Sequence, residues 1–455
     1  NRYLLALNFR ADGSSQFGPD KRWGYFPSGA VAWIITEENF MKDYSNIVSY
    51  LKLRGSVGKT GSQNLGAYDW RTLMGSATYN GAAGIVPSSL GNDILQWEEQ
   101  IQKEVGLDYG FWDDRIRGTL GYYQKKVDNL LYSDPVPTSS SFSSVYQNIG
   151  SLKNRGIEFD VRVDIIKNAP KDLTWNVDFN IARNRTTLEK LNSSDGYFGG
   201  GAYDYFKIEE GGETGRFYGY KDAGRLFMTN EELVGLKTID PKTGTLKYYR
   251  DDYNYERQGD VYIMDLDGDG QITADGDRTV IGNANPDFFG GFGSTLYWKG
   301  LMLNAVFSYS VGGDRFWDEE KNSSGDMNVY NTSNRILDSW TVNPGVNASY
   351  PRAMYYGWGS NSIITDRYIH DASYLRMTAL NLSYRLPKHL YKNSILNAVE
   401  FTFQATNLFT WTKYPGMDPQ GNFSTTYSAF YNMGIDYSTY PSARTYNFGI
   451  KLTLK

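Results

Sequence analysis

Along much of the chain, apolar and polar residues alternate one by one over about ten residues, break at a tight turn, alternate again, and then give way to a long polar stretch. Six such units fill the sequence. Residues 154–185 show the unit plainly: Ile157, Phe159, Val161, Val163 and Ile165 alternate with Glu158, Asp160, Arg162 and Asp164. A turn follows at Asn168, Ala169, Pro170 and Lys171, after which Leu173, Trp175, Val177, Phe179 and Ile181 alternate with Thr174, Asn176, Asp178 and Asn180. A two-residue period puts each set on its own face of a strand. One face carries large apolar rings and the other carries charges and amides, as a wall between lipid and a wet lumen requires.

The alternation predicts twelve strands, near 2–11, 22–35, 50–59, 99–111, 115–127, 154–166, 172–185, 287–298, 301–311, 373–387, 397–410 and 444–455. Short connections are expected at Trp112 to Asp114, Asn168 to Lys171, Lys299 to Gly300 and Lys388 to Asn397, with a moderate one from Thr36 to Ser49 that has room for a helical turn. Long ones span 60–98, 128–153, 186–286, 312–372 and 411–443, and the two kinds alternate strictly. Short periplasmic turns and long external loops are the asymmetry of outer-membrane barrels, and the parity puts Lys455 at the periplasmic end. A soluble β-sandwich or propeller would also alternate. Large rings on the outer face, long loops on one side only, and strands near the 9–11 residues that cross a bilayer favour an all-β, antiparallel transmembrane β-barrel.

Composition sharpens this picture. The 455 residues include 37 Tyr, 23 Phe and 11 Trp, in keeping with aromatic girdles at two interfaces. No apolar run approaches the ~18 residues of a transmembrane helix, so a membrane span must come from strands closed on themselves. A net charge of −5 argues against a nucleic-acid binder. The chain has no Cys, which excludes disulfides and thiolate chemistry. Asn1 to Arg10 already reads as strand, without a basic leader or cleavage site, and the whole looks like the carboxyl-terminal part of something longer.

Among local motifs, Asp265, Asp267 and Asp269 with Gly270 and Gln271 match the first half of a calcium loop, where closely spaced oxygens surround the ion and glycine permits the turn. Position 12, expected to be a bidentate acid, is Gly276, flanked by Asp275 and Asp277. The expected ligands for Ca²⁺ are therefore Asp265, Asp267, Asp269, Gln271 and Asp277; the alternative is an Asp/Gly turn with solvated carboxylates. An enzyme is not expected. His370 and His389 are the only histidines and fall on opposite sides of one strand, while Glu98/Glu99 and Glu209/Glu210 are sequence neighbours that an extended chain splits between faces. Gly199 to Gly201 and Gly290, Gly291 and Gly293 lack the strand-before, helix-after setting of a phosphate cradle. The loops do hold rings beside amides and charges, at Tyr68 to Arg71, Trp97, Tyr203, Tyr205, Trp317 to Glu319, Trp340, and Tyr355, Tyr356 and Trp358. Tyr68, Trp70, Trp97, Trp317, Trp340, Tyr356 and Trp358 are the candidate substrate-binding residues, suited to stacking on sugars and nearly as well to peptides; Tyr and Trp also enrich any protein interface, and each ring taken singly reads first as structural or partner-facing.

Specific words in the chain go further. Arg10 to Gly18 (Arg-Ala-Asp-Gly-Ser-Ser-Gln-Phe-Gly), Lys21 to Ser28, Leu51 to Arg54 with Gly58, Thr60, Gly61 and Gln63, Gln147 to Gly150 and Ala372 to Arg376 come in this order. They are followed by Asn407 to Gly416, Asp418-Pro419 and Tyr440 to Thr445. Together they resemble the SusC/RagA family of TonB-linked outer-membrane nutrient transporters over the full length. The resemblance implies a twenty-two-stranded barrel with an amino-terminal plug, a TonB-contacting segment and a SusD-like surface lipoprotein as lid. Residues 1–455 would supply about the last twelve strands, without plug or TonB-contacting segment. It further implies location in the outer membrane of a Gram-negative bacterium and TonB-dependent import of oligosaccharides; import of oligopeptides, or a non-transporting scaffold or adhesin, are the alternatives. Two departures stand out: an extra residue before Asp277 in the Asp265 loop, and Lys455 where barrels commonly finish on an aromatic residue.

Overall fold

The computed structural model describes all residues except 170–171, 192–196, 200–204, 230–231, 233–237, 240–245, 248–257, 327–330, 354–360, 362, 393–394, 423–432 and 455. All twelve expected strands are present: β1 Tyr3–Gly13, β2 Trp23–Ile34, β3 Val48–Ser62, β4 Glu98–Phe111, β5 Ile116–Asp128, β6 Ser151–Ala169, β7 Leu173–Lys190, β8 Phe288–Trp298, β9 Leu301–Val311, β10 Tyr374–Arg385, β11 Leu396–Thr412 and β12 Thr445–Leu454. They form one 12-stranded sheet in which every strand pairs with its sequence neighbours, and every pairing is antiparallel. β3, β6 and β7 run farther toward the loop end than the alternation indicates. Hydrogen-bonded pairing outlasts the apolar pattern there, because above the lipid both faces are wet and alternation is no longer required.

The turns follow backbone chemistry. Trp112, Asp113 and Asp114 all adopt positive φ, and Lys299-Gly300 does so at 48° and 86°, the left-handed pair of a two-residue hairpin. The Thr36 to Ser49 connection holds 3-10 turns at Ile35–Glu37 and Asn39–Tyr44.

The register carries the two faces across the whole sheet. One apolar row runs Tyr3, Trp33, Leu53, Leu107, Leu120, Phe159, Ile181 and on to Tyr309, Leu375 and Trp411. Many large apolar side chains of this face stand open, including Leu5, Leu7, Val31, Val105 and Ile157, an arrangement that hydrocarbon rather than water accommodates. The opposite face is ionic on β3–β7: Lys52 Nζ and Arg54 Nε reach Asp108 at 3.0 and 3.2 Å, Arg54 also pairs with Glu104, and Arg117 meets Asp164 at 3.0 Å. On β8–β11 the middle of this face is neutral, where Asn304 Nδ2 donates to Thr295 Oγ1 and Asn381 Nδ2 to Asn304 Oδ1, both at 2.9 Å.

Two tyrosines on the apolar face tie three strands each. Tyr109 on β4 leans across Gly118 on β5 and donates to the Asp160 carbonyl on β6 at 3.0 Å, its ring stacked 6.3 Å from Phe159. Tyr309 on β9 leans across Gly290 on β8 and donates to the Asn180 carbonyl on β7 at 2.8 Å, stacked 6.1 Å from Phe179. Each arrangement satisfies a hydroxyl that lipid could not, and each needs a glycine, since a Cβ would sit 2.0 Å from the Asp160 oxygen or 2.1 Å from the Asn180 oxygen.

Candidate functional site

The connections at one end of the sheet fold on cores of their own. Residues 63–97 and 129–150 each contain a hairpin, Met74–Tyr79 with Ala82–Pro87 and Leu131–Pro135 with Ser144–Asn148. Beneath them Phe17, Phe26, Trp70, Leu95 and Trp97 are packed together. A second core, Tyr205, Phe206, Phe217, Ala284, Phe316, Tyr368 and Ile435, joins the three connections 191–287, 312–373 and 413–444. A third, Leu226, Phe227, Val261, Ile263 and Ile272, lies against the Asp265 loop with Trp340 and Ile363 on its flank.

At the mouth of the sheet, the strand Asp314–Trp317 pairs antiparallel with Ile369–Asp371 and parallel with Ile435–Asp436. Phe316, Ile369 and Ile435 turn into the loop core; by alternation Arg315, Trp317, His370 and Asp436 take the other face. His370 stands edge-on to Trp317 at 5.9 Å, Tyr414 lies 6.1 Å away, and the Arg335 guanidinium is 4.6 Å from the ring centroid, within cation–π range. Glu320 accepts from Arg335 Nη1 at 2.7 Å and Tyr350 Oη at 3.2 Å and meets His370 Nε2 at 2.5 Å. Tyr414 Oη donates to Asp436 Oδ2 at 2.7 Å. Burial, reinforced by Asp436, drives the Tyr414 phenol far above its ordinary range, and burial with Glu320 raises Tyr350, so both remain protonated donors at neutral pH. One step down, on the polar face of β10, Arg376 reaches Asp418 Oδ1 at 2.6 Å, Gln420 Oε1 at 2.6 Å and Thr410 Oγ1 at 2.9 Å. Gln420 Nε2 in turn donates to Tyr374 Oη at 2.5 Å. Chemically this mouth offers ring faces beside ordered amides, hydroxyls and cations, which suits recognition of a polar oligomer.

The Asp265 loop closes as an acidic turn. Carboxylate oxygens of Asp265, Asp267 and Asp269 lie within 4.8 Å of one another. Asp265 accepts from the amides of Gly268 and Gly270 at 2.7 and 2.8 Å, and Asp269 from that of Gln271 at 2.7 Å. The Asp269 amide pulls the Asp267 carboxyl down, but desolvation and the neighbouring Asp269, Asp277 and Asp265 carry it above its usual value. Asp277 is fully buried with both oxygens engaged, by Leu266 N and Thr273 N at 2.7 Å each. It braces the loop from behind. A Cβ at Gly276 would meet the Asp267 carboxylate at 2.2 Å, so a larger residue at position 12 would need Asp267 to swing aside. The donor set that fits a hard cation is the three clustered aspartates with Gln271 beside them.

The candidate rings divide sharply. Tyr68 is 60% exposed, whereas Trp70 and Trp97 are 7% and 8% exposed, with their indole N–H groups bonded to the carbonyls of Ser15 at 3.2 Å and Arg22 at 3.0 Å. Trp340 packs beside the third core, against Gly259. Trp317 belongs to the mouth. Tyr356 and Trp358, like Tyr203 and Tyr355, lie outside the described residues. His370 and His389 fall beyond opposite ends of β10, and the glutamate pairs are engaged structurally, Glu99 with Lys59 at 2.7 Å and Glu209 with Arg216 at 3.2 Å. Sequence reasoning missed Arg315, Glu320, Arg335, Tyr350 and Tyr414 as a group. The run Arg315-Phe316-Trp317 alternates like a strand, the one local signal that it is folded structure and not open loop.

Residues 1–408 match the family model described as TonB dependent receptor-like, beta-barrel. TonB-dependent receptor P3 of Formosa agariphila is 33% identical over 99% of the chain and 44% of its own length. TonB-dependent receptor SusC of Bacteroides thetaiotaomicron is 31% identical over 99% of the chain and 42% of its own length. Among solved structures, the RagAB peptide importer in its closed-closed state matches with a TM-score of 0.77 at 26% identity, over 99% of this chain and 46% of that one. The chain spans less than half the length of these relatives.

Proposed function

This chain belongs to the TonB-dependent receptor β-barrel family, outer-membrane proteins of Gram-negative bacteria, and on that premise we propose that it is the carboxyl-terminal part of an energised importer for oligosaccharides that works with a SusD-like surface lipoprotein. The observation that carries this reading is the two-faced sheet crowned by folded loops: apolar outside, polar inside, with the aromatic and amide-rich mouth of Trp317, Tyr414 and Gln420 at its loop end. Ligand captured between lid and mouth would pass down the polar face once TonB, acting through a plug, opens the lumen. Rings at the mouth stack on the apolar faces of sugars, while amides and guanidinium groups bond hydroxyls. The chemistry is transport, with no bond made or broken.

Oligopeptides are the second reading, favoured by the likeness to the RagAB peptide importer. In either case the Asp265 loop would take a divalent cation of the Ca²⁺ type on Asp265, Asp267 and Asp269, stiffening the connection above the third core. The test is purification of the intact protein from native outer membranes in mild detergent, with mass spectrometry of what stays bound. A stoichiometric surface lipoprotein with a trapped glycan is the expected result; a trapped peptide would select the second reading. A lone barrel with neither would overturn both in favour of a scaffold.

A further inference from the structure

We propose that Arg315 is the anion-recognising residue of the mouth, engaging a carboxylate or sulfate carried by the imported oligomer. This rests on the import reading and adds to it the charge of the ligand. Four other guanidinium groups around the mouth and the third core have carboxylates: Arg335 has Glu320 at 2.7 Å, Arg352 has Asp260 at 2.7 Å, Arg367 has Asp222 at 2.7 Å and Arg376 has Asp418 at 2.6 Å. Arg315 forms no ion pair among the described residues. Its Nη1 donates to the Asp314 carbonyl at 3.2 Å, and its Nε is buried without a partner. The acids nearest to it are committed elsewhere. Asp436 holds the Tyr414 hydroxyl and the Thr439 amide, at 2.7 and 3.2 Å, and Asp314 holds the Asn283 amide at 2.8 Å.

A guanidinium drawn out of water without a counter-ion is costly unless something completes it, and an oxyanion accepting two parallel N–H bonds does so best. The surroundings fit a ligand as the source of that anion. Arg315 shares its strand face with Trp317 and His370 and lies beside Tyr374 and Tyr414, so an incoming sugar or peptide unit would find rings next to the cation. Tyr374 belongs to the same face of β10 as Arg376, which puts the site on the lumen side of the mouth. Two ligand sources share this chemistry, a uronate or sulfated sugar and an acidic peptide.

The experiment uses the intact receptor purified from outer membranes, as wild type, Arg315→Met and Arg315→Lys. Four probes are titrated calorimetrically: a hexameric oligogalacturonate, a neutral malto-hexaose, and an acidic and a neutral peptide of equal length. Sodium sulfate against ionic-strength-matched chloride, read by thermal unfolding, provides a probe that needs no knowledge of the oligomer. Wild type should bind one anionic probe about tenfold or more tightly than its neutral match, as a charge-assisted bond implies. That preference should vanish in Arg315→Met and partly return in Arg315→Lys, with a wild-type β-sheet circular dichroism spectrum as the sign of an intact fold. The oligogalacturonate and peptide arms tell which source is natural. Saturable stabilisation by sulfate in wild type but not in Arg315→Met, with no oligomer bound, would uphold the anion site while refuting the import reading as stated. Equal anion preference in wild type and Arg315→Met, or no anion effect in either, overturns the proposal.

Discussion

Replacing Gly290 by Ala is the sharpest probe of how the membrane face is locked. The new methyl would stand 2.1 Å from the Asn180 carbonyl oxygen and 2.8 Å from Tyr309 Oη. The first obstacle is backbone and cannot rotate away, so the strand pair must shift or Tyr309 must leave. Overpacking of this kind costs about 1–3 kcal/mol, and losing the Tyr309 hydroxyl bond adds about 1 kcal/mol. Against this, alanine restricts the unfolded chain and recovers about 0.5–1 kcal/mol. The net expectation is a loss of about 1–3 kcal/mol. Gly121→Ala is the matched control on the same sheet: nothing lies within 4 Å of its would-be Cβ, so only the gain should remain. Stability is read by urea unfolding of the intact protein in lipid vesicles, together with Tyr309→Phe and the double variant. Because Gly290→Ala and Tyr309→Phe remove the same contact, their costs should add to more than the double variant shows. Gly290→Ala as stable as wild type, or Gly121→Ala as damaging as Gly290→Ala, would refute the interlock.

The loop cores make further predictions. Trp97→Ala, which empties the space between Phe17 and Phe26 at 5.1 and 5.5 Å, should cost about 3–5 kcal/mol and open the 63–97 connection to protease, whereas Tyr68→Ala should leave cleavage unchanged. Acid should undock the last loop. Burial pushes the Asp418 carboxyl up, but Arg376 and the amides of Gln420 and Ser442 outweigh it and hold it below the ordinary range. Its stabilisation is therefore complete above a carboxylate pKa of about 3.9 and fades as pH falls through the lower folded value, so amide protection in 413–422, taken relative to the intrinsic exchange rate at each pH, should fall only below about pH 4 and hold steady from 5 to 8. Calcium should slow proteolysis of the Asp265 loop, and Asp267→Asn with Asp269→Asn should abolish that protection; a loop equally protected in chelator would remove the cation from the account.

The wall was legible because lipid imposes a strict rule on every second residue. Leu5, Leu7 and Phe9 on β1, or Phe401 and Phe403 on β11, announce their face without any knowledge of their neighbours. Above the membrane no such rule operates. Trp70 and Trp97 sit in polar sequence, as a ligand-stacking ring would, and only their three-dimensional partners Phe17, Phe26 and Leu95 show that they are core. One available signal went unused: Asn80-Gly81, with φ of 47° and 79°, is a hairpin turn with its chemistry written in the sequence, and it reveals that the 63–97 connection is folded. The mouth was illegible for a different reason. Arg315, His370 and Asp436 meet through a parallel and an antiparallel pairing between distant segments, and strands this short leave only the brief alternation of Arg315-Phe316-Trp317 as a trace, with nothing to say what pairs with it.

The two tyrosine interlocks are mirror images about the hairpin of β6 and β7: Tyr109, Gly118 and Asp160 on one side, and Tyr309, Gly290 and Asn180 on the other. Each bolts three consecutive strands, and the 15° stacking of each tyrosine on Phe159 or Phe179 keeps the bolt from turning. Together they make β4–β9 a stiff plate. Were the wall to breathe as cargo passes, its compliance would have to lie at the seams outside that plate, at β1–β3 and β10–β12, where no such bolt is found among the described residues. A mechanical load applied to the lumen would then bend the protein along two hinge lines, and the strands carrying Arg376 and Arg54 would move relative to one another while the panel between them kept its shape.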